Sequence, residues 1–244
     1  MRRSRPAWTL AALLLLGCGH GPERMRGFPD RVLWAWNAPQ DLRFLTRGEA
    51  VAFLGGELML ADRRAVFSPR RAPLLVSPGT PLMAVLRVDA RQPALDAGQR
   101  RAMVESALGL LDLPGVRALQ IDFDALASQR VFYAQVLAEL RTRMPAQVPL
   151  SMTALGSWCS GDAWIAGLPV DEQVPMLFRM GSDGPNLVRL LRRGVDWQAP
   201  GARHAYGIAT DEALPPLRGS RRIYVFQPGP WTAQAWARVS QALP

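Results

Sequence analysis

Two aspartates lie two residues apart at the end of an apolar run near the middle of the chain. The run reads Leu-Gln-Ile-Asp-Phe-Asp over residues 119–124. In a strand, alternate side chains share a face, so Gln120, Asp122 and Asp124 point one way and the apolar residues point the other. Neighbouring carboxyl groups repel each other, which can leave one as an acid beside a base near neutral pH. We therefore predict Asp122 and Asp124 as a catalytic pair for glycoside hydrolysis, one as the acid and the other as its electrostatic partner.

A structural role for the same two aspartates is the alternative. Asp124 would then cap the following turn, since aspartate is common where a loop leads into a helix, and Asp122 would pair with an arginine.

Further polar and aromatic residues are expected near the ends of strands, where they could bind a substrate. Arg179 could pair with Asp122 or Asp124, or hold a sugar that carries a carboxylate. Aromatic planes beside amide donors are typical of a cleft that binds glycans. We predict a polysaccharide or other glycan as the partner and the following binding residues: Gln120, Arg179, Asp89, Trp36, Trp158, Gln227 and Trp231.

The composition disfavours several other chemistries. All 29 basic residues are arginine, so neither a lysine Schiff base nor a Walker phosphate loop can form. Cys159 and His204 are expected at opposite ends of the fold, which argues against a cysteine–histidine enzyme. Too few histidines and cysteines remain for a zinc site, and we predict neither a metal nor a cofactor. The arginines are scattered or paired and do not form dense basic blocks, so we do not expect nucleic acid as a partner.

Strand-like and helix-like segments alternate along most of the chain. Five helices are predicted at 97–111, 131–144, 162–168, 186–193 and 232–243. Eight strands are predicted at 32–36, 50–54, 82–88, 118–123, 148–153, 173–178, 205–209 and 223–226. This alternation predicts an α/β fold, a single (β/α)₈ TIM-like barrel, with its chemistry at the carboxyl ends of the strands. A doubly wound sheet is the alternative, although no glycine-rich fingerprint follows the first strand.

The first residues read as an export signal. A basic stretch precedes an apolar run of about ten residues, too short to span a bilayer, which ends at Leu-Leu-Gly-Cys. This ending resembles the bacterial lipobox, so we expect a signal peptide at 1–17, lipid on Cys18, a linker over 18–27 and the barrel over 28–244. An ordinary secretory signal is the alternative. The protein is then expected in the cell envelope, anchored by lipid in the outer membrane and facing the periplasm. Loss of residues 1–17 lowers the formal net charge from +9 to +6.

Three segments resemble known families. Gln-Ile-Asp-Phe-Asp at 120–124 is similar to the fourth-strand signature of glycoside hydrolase family 18, the chitinase-like barrels, with Asp122 at the assisting aspartate and Asp124 where the acid lies. That segment, with 150–159 and 168–181, also resembles the bacterial family catalogued as domain of unknown function 3142, which implies an exported barrel but no activity. Gln120, Phe178 and Arg179 replace groups of the chitinase pattern, which favours a second hypothesis: an inactive barrel that binds a glycan or a partner protein.

Overall fold

A computed structural model describes residues 23–162 and 164–244. Within these residues the chain forms eleven strands: β1 (Arg31–Ala35), β2 (Gln40–Asp41), β3 (Glu49–Ala61), β4 (Arg64–Pro69), β5 (Leu74–Leu75), β6 (Leu82–Ala90), β7 (Val116–Phe123), β8 (Leu150–Leu155), β9 (Glu172–Met176), β10 (Ala205–Ala209) and β11 (Arg222–Phe226). Eight of them are parallel and pair in the order β1-β3-β6-β7-β8-β9-β10-β11, and β11 pairs with β1. The sheet is therefore a closed barrel. The strand β4 adds to β3 as an antiparallel hairpin, and β2 and β5 form a separate short sheet.

Five α-helices lie outside the barrel: α1 (Ala97–Gly109), α2 (Arg130–Arg143), α3 (Gly156–Ser160), α4 (Gly184–Arg192) and α5 (Ala233–Ala242). They follow β6, β7, β8, β9 and β11. The helix α1 begins where Asp96 accepts a hydrogen bond from the backbone N–H of Gln99 while the Gln99 side chain reaches back to Asp96, a capping box. The Thr232 hydroxyl caps α5 by accepting a hydrogen bond from the backbone N–H of Ala235. In the described chain no helix is both long and apolar enough to cross a membrane.

Alternation along the strands separates two hydrophobic cores. On β7, Leu119, Ile121 and Phe123 point outward and pack on the helices, whereas Ala118 and Gln120 point into the barrel. The outer core holds most of the buried aliphatic and aromatic side chains, and the lumen holds a smaller set that includes Val32, Trp34, Ala52, Met83, Val85 and Val174.

The amino-terminal end of the barrel is closed by residues 23–30. Met25 and Phe28 are buried in the lumen core, so the packed chain begins before residue 28. Arg222 on β11 donates to the backbone oxygens of Met25, Phe28 and Pro29 and forms an ion pair with buried Glu172. These bonds tie the floor formed by the first described residues to β11.

The eight barrel strands match the predicted segments, and the prediction of a (β/α)₈ barrel is confirmed. The predicted helix at 162–168 is wrong. Helix α3 begins directly after β8 and ends at Ser160. At the next residue, Gly161, a Cβ would lie 2.9 Å from the Ser157 carbonyl oxygen, and turns follow from Trp164. The predicted signal peptide and Cys18 lie outside the described residues.

Candidate functional site

A pocket opens at the carboxyl ends of the barrel strands, opposite the floor closed by residues 23–30. Its volume is about 270 Å³, close to the lower end of small-molecule pockets, roughly 300–1,000 Å³. The residues that line it come from β1, β6, β7, β8, β9 and β11 and from the turns that follow them: Trp34, Trp36, Arg87, Asp122, Asp124, Thr153, Leu155, Met176, Phe178, Arg179 and Phe226.

One arginine lies between the two aspartates in this pocket. Arg87 on β6 donates a hydrogen bond to Asp122 Oδ2 at 2.9 Å and another to Asp124 Oδ2 at 3.1 Å. The Thr153 hydroxyl donates to the second Asp122 oxygen at 2.8 Å. Asp122 is buried, with 5% of its side chain exposed, whereas Asp124 at the rim is 41% exposed. The two carboxylates thus share a single guanidinium in two different environments.

Burial dominates the electrostatics of Asp122. It raises the pKa of this carboxyl, and the charge of Asp124 adds to the rise, while the charge of Arg87 and the bonds from Thr153 and Arg87 lower it. For Arg87, burial works against the charged form, but the two carboxylates outweigh it and its pKa is raised. The positive charge between the aspartates therefore acts against the mutual repulsion on which an acid–base pair depends.

Aromatic rings form the opposite part of the pocket lining. Phe178 and Phe226 stack with an interplanar angle of 4° and a centroid distance of 5.7 Å. Trp36 meets the edge of Phe226, and Trp34 meets the edge of Phe178. The guanidinium carbon of Arg179 lies 5.1 Å from the centroid of the Phe226 ring, within the range of a cation–π contact. This surface is suited to the apolar face of a planar or ring-shaped ligand.

A buried polar chain supports the pocket from below. The Trp34 indole N–H donates to the side-chain oxygen Oε1 of Gln120 at 2.8 Å, and the side-chain Nε2 of Gln120 donates to the Ser151 hydroxyl at 3.0 Å. Gln120 is fully buried and does not line the pocket. Gln120 contacts the pocket through Trp34, because its hydrogen bond to the indole N–H fixes the orientation of the Trp34 ring.

The pocket brings together four residues named from the sequence: Asp122, Asp124, Arg179 and Trp36. The expected pairing of Arg179 with Asp122 or Asp124 is wrong. Arg179 instead pairs with Asp211 at 3.0 Å, and its backbone has a positive φ of 51° that turns its side chain toward the loop after β10. Asp122 is paired with an arginine, as the structural alternative expected, but that arginine is Arg87.

Four other predicted binding residues lie outside the pocket lining. Asp89 is exposed near the end of β6 beside Arg91, and the Gln227 amide donates to the Pro230 carbonyl oxygen. Trp158 lies on α3 in the outer core and packs against Trp164. Trp231 also belongs to the outer core, where its indole N–H donates to the Trp34 carbonyl oxygen. Sequence position placed the two tryptophans near strand ends but did not reveal which layer their rings enter.

Seven residues of the pocket lining were not predicted as site residues: Trp34, Arg87, Thr153, Leu155, Met176, Phe178 and Phe226. Arg87 had a readable signal. It continues the alternation of Met83 and Val85, which face the lumen, at the carboxyl end of its strand. Because Arg87 faces the lumen on the strand next to the one that carries Asp122, the alternation predicts an ion pair between these two side chains.

The other reactive groups of the chain do not join the pocket. The Cys159 thiol is buried and donates to the Leu155 carbonyl oxygen at 3.5 Å, and burial raises its pKa. In residues 23–162 and 164–244, no group of three or more histidine, cysteine, aspartate or glutamate side chains is placed to hold a metal ion.

Comparison with known proteins gives the family and the fold. The profile of the family described as "Domain of unknown function (DUF3142)" matches residues 78–205. The chain belongs to this family. No curated protein matches the sequence.

Solved structures of chitinases share the barrel. A family GH18 chitinase from Chromobacterium violaceum superposes with a TM-score of 0.53 and 14% identity, covering 86% of this chain and 80% of that one. A protein described as chitinase A from Streptomyces coelicolor gives 0.52 and 11%, covering 87% and 95%. The spore cortex-lytic enzyme SleL from Bacillus cereus gives a TM-score of 0.46 with 16% identity, and the match covers 73% of this chain. This chain spans about half of the SleL length. The DUF3142 chain thus shares the barrel fold of the two chitinases.

Proposed function

We propose that this DUF3142 protein binds a sugar unit of a cell-envelope polysaccharide in the barrel pocket and does not hydrolyse it. The observation that supports this most is Arg87, which donates to both Asp122 and Asp124. An acid–base pair arises when two carboxylates repel each other, and an interposed guanidinium counteracts that repulsion. The carboxylate oxygens then serve as fixed acceptors for sugar hydroxyls.

The aromatic lining supports a sugar as the ligand. Sugar rings present C–H groups on one face, and the edge-on and stacked rings of Trp36, Phe178 and Phe226 offer an apolar surface of matching size. The pocket volume of about 270 Å³ suits one ring unit of a longer glycan.

Calorimetry on the full chain with a panel of envelope glycans tests binding at this pocket. We expect binding without release of new reducing ends. Trp36→Ala should weaken affinity about tenfold, or ~1.4 kcal/mol, because an aromatic contact is lost. Phe67→Ala is the matched control, since Phe67 is a partly exposed aromatic residue on the β4 hairpin outside the pocket. Equal affinities for wild type and Trp36→Ala would contradict the assignment of the pocket.

Hydrolysis with Asp124 as the acid is the second candidate. It is favoured by one observation, the exposure of Asp124 at the pocket rim with Arg87 as its bonded partner. In this case, incubation with the correct glycan releases reducing ends, and Asp124→Asn lowers the rate at least a hundredfold. Hydrolysis that persists in Asp124→Asn would rule out this role for Asp124, and a complete lack of hydrolysis across the panel leaves the binding function.

A lipid anchor at Cys18 is part of the proposal. The Leu-Leu-Gly-Cys ending of the apolar run supports it, because lipid attachment requires a cysteine after a small residue at this position. Cells grown with a clickable palmitate analogue should label the wild type and Cys159→Ser but not Cys18→Ser. We expect the labelled protein in the outer-membrane fraction. Labelling of Cys18→Ser equal to that of the wild type would refute the anchor.

A further inference from the structure

The ionisable side chains around the pocket include more carboxylates than guanidinium groups. Two guanidinium groups face four carboxylates: Arg87 is shared by Asp122 and Asp124, and Arg179 pairs with Asp211 through its side chain while its backbone N–H donates to Glu212. Each arginine thus has one more carboxylate beside it than it can neutralise. A neutral sugar leaves this excess uncompensated, and an acidic sugar adds to it.

Another arginine nearby is committed elsewhere. The Arg70 guanidinium donates to the carbonyl oxygens of Trp36 and Ala38 at 2.6 Å each and of Ala72 at 2.8 Å. It therefore holds the turn that carries Trp36 and does not line the pocket. Carbonyl oxygens do not neutralise its charge, so three guanidinium groups stand against four carboxylates and an excess of one negative charge remains.

The pocket also holds the two kinds of group that bind a cation. Asp124 is the partly exposed carboxylate of the lining, so a ligand can reach it without removing Arg87. The rings of Trp36 and Phe226 lie in the same pocket, and aromatic faces attract ammonium groups. A carboxylate and aromatic rings around one small cavity form a site for a ligand that combines a positive charge with an apolar face.

We propose that the pocket selects a sugar with a free, protonated amine, that is, an amino sugar without its acetyl group. The inference rests on the proposed binding function and names the class of sugar. The ammonium binds the exposed edge of Asp124 and the sugar ring lies against the aromatic lining. An N-acetylated sugar lacks the charge and is bulkier at the same position, so it binds more weakly.

Three probes that differ in one substituent test this selection: the methyl glycosides of glucosamine, N-acetylglucosamine and glucose. Their affinities for the full chain are measured by ligand-observed NMR at pH 6.5 and low salt. We expect glucosamine to bind about fivefold more tightly than glucose, the size of a partly exposed ion pair. Raising the salt to 0.5 M should reduce the difference, because screening weakens exposed charges.

Asp124→Asn separates the charge effect from sugar binding in general. We expect this variant to lose the preference for the amine, so that it binds glucosamine and glucose with equal affinity. Asp112→Asn is the matched control, because Asp112 is an exposed carboxylate before β7, at the opposite end of the barrel, and its removal should leave the preference intact.

The outcomes distinguish the two proposals. Equal binding of all three glycosides by the wild type, or a preference that survives in Asp124→Asn, would overturn the selection of an amine and leave sugar binding standing. Failure of all three to bind, in a sample whose thermal unfolding is cooperative, would count against both.

Discussion

Replacement of Arg87 by methionine removes the charge between the two aspartates and keeps most of the side-chain volume. Its effect on stability should fall almost entirely on Asp122. This carboxylate is 5% exposed, and a buried charge that loses its partner costs about 3–5 kcal/mol. Because Arg87 is itself 34% exposed and Thr153 still donates to Asp122, we expect the lower end, about 3 kcal/mol at pH 7.5.

Double-mutant cycles assign that loss to one of the two ion pairs. The coupling of Arg87 with Asp122 should be about 2–3 kcal/mol, since Asp122→Asn removes the buried charge that Arg87→Met leaves unpaired. The coupling of Arg87 with Asp124 should be below about 1 kcal/mol, because Asp124 is 41% exposed. Free energies of unfolding come from urea titrations followed by far-ultraviolet circular dichroism.

The pH dependence has a definite sign. Burial raises the pKa of Asp122, whereas the charge of Arg87 lowers it. Because Arg87→Met removes that charge, the pKa of Asp122 rises further in the variant. The native variant then binds more protons than the unfolded chain, so its stability falls as pH rises above the unfolded value near 3.9. The deficit against the wild type should therefore shrink as the pH is lowered from 7.5 to 5. Equal couplings for the two aspartates, or a deficit that does not change with pH, would refute the assignment of the buried charge.

Three further predictions concern the wall, the floor and the outer core of the barrel. Gly207→Ala places a Cβ 2.9 Å from the Trp34 ring, so we expect a loss of about 1–3 kcal/mol in stability, measured by thermal melts, and weaker glycan binding, measured by calorimetry. An unchanged melting temperature would show that the Trp34 ring can move aside without cost. Arg222→Met leaves the buried carboxylate of Glu172 without its cation and should lower the free energy of unfolding in urea by about 3–5 kcal/mol. A loss below about 1 kcal/mol would contradict the role of Arg222 in holding the floor to β11. The Cys159 thiol is buried, and burial raises its pKa, so a thiol reagent should label Cys159 in the Cys18→Ser variant only when denaturant is present. Rapid labelling of the native protein would contradict the burial of Cys159.

The barrel strands could be predicted because each carries a short apolar run whose length and spacing are typical of parallel strands. The orientation of Asp122 followed in the same way, since period-two alternation in 119–123 leaves a single register that buries the apolar residues. Local pattern was sufficient where one face had to be buried.

The partners within the site could not be read from local pattern. Arg87 and Asp122 are 35 residues apart and meet through the pairing of β6 with β7. Arg179 was expected beside the aspartates, but the left-handed backbone at this non-glycine residue, which the sequence does not signal, directs it to Asp211. Trp231 shows the same difficulty, because its position near a strand end does not indicate that its ring enters the outer core.

If lipid is attached to Cys18 as proposed, the floor formed by residues 23–30 sets how the barrel stands on a membrane. Five positions separate Cys18 from Glu23, a length of chain that reaches at most roughly 18 Å. With the proposed lipid on Cys18, the floor lies close to the headgroups and the mouth with Asp124 and Trp36 opens on the far side, away from the bilayer. A barrel oriented in this way meets polymers that approach from the compartment, such as a glycan mesh or a passing chain, and does not face the headgroups of its own membrane.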